Sequence, residues 1–97
     1  MPTFITLIEY TGEGVQNMDQ SPARLDAAKE VVESMGGDFH TFYLTMGQYD
    51  AVSVMEMPDA EAATQAAITI SGAGAVRTET FRAFPEDEYR DLVAGLP

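Results

Sequence analysis

Residues 38–57 read DFHTFYLTMGQYDAVSVMEM, and their pattern decides the fold. Two runs rich in β-branched and aromatic residues, 38–45 and 50–57, are separated only by Met46-Gly47-Gln48-Tyr49. Runs of that composition predict strands. So short a connection makes the pair an antiparallel hairpin. In strict alternation, His40, Phe42 and Leu44 share one face of the first strand, and Phe39 and Tyr43 share the other.

On the N-terminal side of the hairpin, Ser21-Pro22 predicts a helix start, with Ser21 as N-cap and Pro22 at the first helical position. Leu25, Ala28, Val32 and Met35 follow at spacings of three, four and three, which is a helical apolar stripe. Arg24, Lys29, Glu30 and Glu33 fall largely off that stripe, and Gly36-Gly37 ends it. On the C-terminal side, Asp59 is the expected N-cap of a second helix. Ala62, Ala63, Ala66, Ala67 and Ile70 give that helix a smooth face that can approach a sheet closely. Gly72-Ala73-Gly74 breaks it.

Two further strands flank these helices. Residues 3–10 place Phe4, Ile8 and Tyr10 on one side and Ile5 and Leu7 on the other, so both faces are apolar and the strand is central. Residues 75–83 alternate in polarity as a fourth strand. Residues 11–20 are polar and carry Gly12 and Gly14, which predicts a loop. After Pro85, the run Glu86-Asp87-Glu88 suits the first turn of a short terminal helix.

The order β-α-β-β-α-β is the α+β, ferredoxin-like arrangement: a four-stranded antiparallel sheet with both helices on one face, here followed by a short C-terminal helix. One domain spans residues 1–97. The helices cover one apolar face of the sheet and leave the other bare, and exposed apolar sheet of that extent marks an interface. Face-to-face packing in a homodimer is therefore expected.

Composition narrows the function. The chain has 97 residues and no cysteine, so thiolate zinc sites, disulfides and cysteine nucleophiles are excluded. Sixteen acids against five bases give a formal net charge of −11, which repels phosphate backbones and anionic membranes. Nucleic acid and membrane partners are not expected. Lys29 is the one lysine, and an acidic, lysine-poor surface is the pattern of proteins from salt-loving microbes, although it also fits an ordinary acidic protein. No apolar run approaches ~18–20 residues, and Met1-Pro2-Thr3 lacks the basic start of a signal peptide. The cytoplasm is the expected compartment.

The chain resembles the GYD-domain family of small bacterial and archaeal proteins. The matching segments are Ser21-Pro22-Ala23-Arg24, Met35-Gly36-Gly37, the hairpin from Phe42 to Asp50 and Val76-Arg77-Thr78-Glu79-Thr80. Gln48 interrupts the literal Gly-Tyr-Asp triplet, so that motif rests on its place in the hairpin. Gly74-Ala75-Val76 is a less polar approach to the last strand than the family suggests. The resemblance implies a fold similar to dimeric α/β-barrel domains, which supports a dimer, and it implies no particular reaction.

Six residues are candidates for ligand binding: His40, Tyr43, Tyr49, Asp50, Arg77 and Glu79. Tyr49 and Asp50 could line a pocket near the sheet edge, but Gly47 and Asp50 also suffice to make a turn. His40, the one histidine, could shuttle a proton, orient or share a metal with Asp38, or simply be held by a structural hydrogen bond. Too few ligands surround it for a transition metal, so no metal and no cofactor are expected. Arg77 and Glu79 share one face of the last strand; an arginine there can grip a carboxylate or phosphate, or pair with one of the chain's own acids.

Two function classes follow. One is a non-enzymatic homo-oligomeric module, dimeric or larger, that binds a small molecule or a protein partner. The other is a cofactor-independent enzyme similar to the monooxygenases built on dimeric α/β barrels, which would use His40, Tyr43, Tyr49 and Arg77.

Overall fold

A computed structural model describes residues Met1–Pro97. Its elements are β1 (Thr3–Tyr10), α1 (Gly12–Gln16), a 3-10 turn (Met18–Gln20), α2 (Ser21–Ser34), β2 (Asp38–Leu44), β3 (Ala51–Glu56), α3 (Ala60–Ser71), β4 (Val76–Ala83) and α4 (Glu86–Ala94). The four strands form one antiparallel sheet in the order β2-β3-β1-β4. This is the expected ferredoxin-like topology, with the strand that is apolar on both faces at an inner position.

The core lies between the sheet and α2 and α3. Phe4, Val32, Met55, Met57, Ala63 and Ala66 form one buried cluster, with Val31, Met35 and Phe39 packed against it. Burying side chains as large as Phe4 or Met57 stabilises the fold by about 1.5–3 kcal/mol each. Asp59 caps α3 as its sequence position predicts, its Oδ1 accepting the Ala62 N–H at 2.8 Å. Gly36 and Gly37 close α2, their N–H groups donating to Glu33 O and Val32 O at 3.1 and 3.0 Å.

Three local features depart from the sequence reading. Residues 11–20 are mostly helical rather than a loop. Thr11 caps α1 through its hydroxyl, which accepts the Gly14 N–H, and also donates to Gly74 O at 2.7 Å. Gly14 is essential to that docking, because a Cβ there would stand 2.1 Å from Ala75 O. The second departure is that Ser21 is not a cap. The 3-10 turn runs directly into α2 through Gln20, which already has helical angles.

The third departure is a β-bulge in β2. Phe39 pairs with Met55 and Thr41 with Val54, leaving His40 as the extra residue. A bulge shifts the alternation by one, so Phe39 joins Phe42 on the helix side. His40 is turned out towards Glu56, 3.6 Å away, rather than sharing a face with Phe42.

Only 13 of the 97 residues are buried, so much of the chain's apolar content is uncovered. The Cα radius of gyration is 14.5 Å. A compact chain of this length would have about 12.5 Å. The C-terminal helix contributes to the difference: none of its residues is buried, and Tyr89, Leu92 and Val93 are each about half exposed.

Candidate functional site

The hairpin turn is built by its own polar groups. Thr45 donates its N–H to Asp50 O and its hydroxyl to Tyr49 O, both at 2.8 Å. Gly47 adopts φ +113°, a conformation that L side chains rarely take. Asp50 finishes the β1–β3 ladder where the paired residues run out. Its N–H donates to Ile8 O, and its Oδ2 accepts the Tyr10 N–H, each at 2.8 Å. The Asp50 carboxylate is thus already occupied by backbone.

Tyr49 points the other way, onto the face of the sheet that the helices leave uncovered. Its hydroxyl donates to Glu79 Oε2 at 2.8 Å. Beside it, Arg77 pairs with Glu9 at 3.1 Å, as their register across β1 and β4 requires. Leu7, Glu9, Tyr49, Arg77, Thr78 and Glu79 line a shallow recess of about 320 Å³. Three expected site residues, Tyr49, Arg77 and Glu79, meet here. Glu9 belongs with them although the sequence reading did not single it out; the signal was the one charged residue in that strand. With two carboxylates against one guanidinium, the recess suits a cation or hydrogen-bond donor better than an anion.

The remaining candidates stand apart. The uncovered face is built in rows across the sheet. Tyr43, Val52, Leu7 and Glu79 form one row, and Thr41, Val54, Ile5 and Phe81 the next. Beyond them lie Asp38 and Glu56 in register, with His40 3.6 Å from Glu56. Tyr43 therefore shares a row with Glu79 but sits on the opposite edge strand, and His40 lies at the far end. The face is an apolar centre between two polar ends. No group of three or more His, Asp or Glu is placed to hold a metal ion. No helix is long and apolar enough to cross a membrane.

The model of the GYD domain matches residues 4–93, which is almost the whole chain. The chain belongs to the GYD domain family. Its relative in Thermus thermophilus, the "Glutamine synthetase and cystathionine beta-lyase binding protein", is 35% identical over 99% of both chains. Two crystal structures are also similar. TTHA0845, from the same organism, has a TM-score of 0.57 and 26% identity, over 88% of this chain and 95% of that one. The leucine response regulatory protein LrpA of Mycobacterium tuberculosis has a TM-score of 0.65 and 19% identity, over 87% of this chain. This GYD domain spans 51% of the LrpA chain, and at that identity the likeness is one of fold.

In this GYD domain the Tyr49 phenol ionises above the ordinary tyrosine value of 10.0, first because it donates a hydrogen bond to Glu79 and then because that carboxylate repels a phenolate. Below pH 10.0 the phenol is protonated in the folded and unfolded chains alike, and the bond contributes in full. As pH rises the unfolded chain ionises first, and the contribution is lost through the higher folded value. Ultraviolet titration of wild type against Tyr49→Phe should therefore show that the missing phenolate signal lies above pH 10.0. A missing signal centred below that value would contradict the Tyr49–Glu79 bond.

Proposed function

We propose that this GYD domain protein is a non-enzymatic, self-associating module that binds protein partners, and that metabolic enzymes are the partner class. The observation that carries this reading is the bare sheet face, with Ile5, Leu7, Val52 and Val54 only partly buried at its centre and Phe81 and Tyr43 open at its edges.

Size favours a second copy as the cover. Four strands of up to eight residues make a face of roughly 19 by 27 Å, on the order of 500 Å². The whole face, polar ends included, is comparable in size to the largest apolar patches that monomers leave open. It falls short of the roughly 800 Å² per partner of a standard stable interface. The exposed Tyr89, Leu92 and Val93 of α4 offer further apolar surface.

The enzyme class comes from the Thermus relative, whose name records binding to glutamine synthetase and cystathionine β-lyase. The charge of −11 favours a partner with a basic docking surface and makes capture sensitive to salt. A cofactor-independent enzyme has only likeness of fold behind it, and fold does not carry function.

Sedimentation velocity of the protein mixed with glutamine synthetase or cystathionine β-lyase from the same cell tests this reading. A co-sedimenting complex with at least one of them, weakened by added salt, is expected. Independent sedimentation of both at tens of micromolar would contradict it.

A further inference from the structure

The middle of a helix–sheet interface is where apolar side chains are expected, yet here the sheet presents hydroxyls. Ser53, Thr6 and Thr80 stand side by side on β3, β1 and β4, facing the helices. Thr6 and Ser53 are 8% and 6% exposed. Thr6 and Thr80 satisfy each other through their hydroxyls at 2.8 Å, and one row on, Thr78 bonds Ser71 at 2.8 Å. Ser53 has no such partner within the chain, and its oxygen is not sealed from accessible space. It opens into a cleft. A hydroxyl there is free to donate to or accept from a bound molecule.

The cleft has a volume of about 210 Å³. Ala27 and Ala28 of α2 and Ala67 of α3 line it with small side chains, and Ile8, Phe42 and Ile70 supply apolar walls. An apolar cavity of about 150 Å³ is enough to take benzene. The space here admits a ring of that size with a short arm.

Arg24 also lines the cleft and is half-buried. Its guanidinium donates to the carbonyls of Asn17 and Gly14, at 3.0 and 3.3 Å, and to no carboxylate. Arg77, Arg82 and Arg90 are all paired, with Glu9, Glu88 and Glu86. In a chain with 16 acids, the one arginine without an acid borders the apolar cleft. A guanidinium has five donors, so three of them are free here for a planar anion.

We infer that this cleft is a binding site for a small aromatic or similarly apolar carboxylate. Its body lies against the alanines and Phe42, a polar substituent reaches the Ser53 hydroxyl, and its carboxylate is held by Arg24. The site is separate from the recess at Tyr49 and from the bare sheet face, and it goes beyond the partner-binding reading without depending on it.

Calorimetric titration of the full chain with 4-hydroxyphenylacetate, phenylacetate and 4-methylphenol tests the assignment. Saturable binding is expected for 4-hydroxyphenylacetate, and about tenfold or more weaker binding for 4-methylphenol, which lacks the carboxylate. Phenylacetate, lacking the ring hydroxyl, should bind about threefold to tenfold more weakly. Arg24→Gln should erase the preference for the acid, and Ser53→Ala the preference for the ring hydroxyl. Ala67→Phe, which fills the cleft, should abolish binding, and its melting curve shows whether it folds. Should that variant be unfolded, the first two variants still decide. No saturable binding of any probe at millimolar concentration overturns the proposal, and so does binding that Arg24→Gln and Ser53→Ala leave unchanged.

Discussion

Phe4→Ala is expected to lower folding stability by about 3–5 kcal/mol. Phe4 sits on the inner strand β1, 6% exposed, with Val32, Met55, Met57, Ala63 and Ala66 around it. Its neighbours on α3 are alanines, which have no spare side chain to fall into the hole. The transfer and cavity contributions therefore both apply in full. For a domain of this size each kcal/mol corresponds to roughly 4–8 °C in melting temperature. A drop of more than about 12 °C should be seen by thermal melting monitored by circular dichroism. Phe81→Ala provides the contrast, because Phe81 is 42% exposed on the bare face of the edge strand β4. Measured on the separated subunit, it should cost well under half as much. Equal losses for the two variants would place the core on the wrong side of the sheet.

The second large effect concerns association. Val54→Glu combined with Phe81→Glu should convert an associated protein to single folded subunits, weakening association by about a thousandfold or more. Val54 and Phe81 lie in one row on the bare face, with Ile5 between them. In a two-fold interface each substituted carboxylate would be buried twice, and burying an unpaired ion costs several kcal/mol. A separated subunit should tolerate the change, since Phe81 already faces solvent in part and Val54 is not buried. The far-ultraviolet spectrum should stay the same while the mass from light scattering falls. An unchanged mass with intact fold would remove the sheet face from the interface and direct attention to α4. Because association stabilises by mass action, the wild type should also melt at higher temperature as its concentration rises.

The sheet and its two helices were legible because their patterns are long and unambiguous. The hairpin at residues 38–57, the stripe from Leu25 to Met35 and the Asp59 cap all act locally, and tertiary contacts agree with them. The bulge at His40 was not legible, because alternation carries no mark of an extra residue, and one insertion reverses the face of everything on one side of it. Helix α1 was hidden by Gly12 and Gly14, which disfavour helix; it forms because Thr11 caps it and Gly14 fits against Ala75. At the recess, Arg77 and Glu79 were visible as neighbours by their spacing, whereas the reach of Tyr49 from the hairpin to Glu79 depends on the order of the strands. The hydroxyl row escaped notice for a similar reason. Thr6, Ser53 and Thr80 are unremarkable one by one, and only the register places them side by side.

Native mass spectrometry of the purified wild-type protein is the most direct test of self-association through the bare sheet face. The subunit mass is 10.5 kDa. A dominant species of two subunits, or of a larger multiple, is expected at low micromolar concentration. A lone 10.5 kDa species throughout the micromolar range, in low and high salt alike, would contradict it.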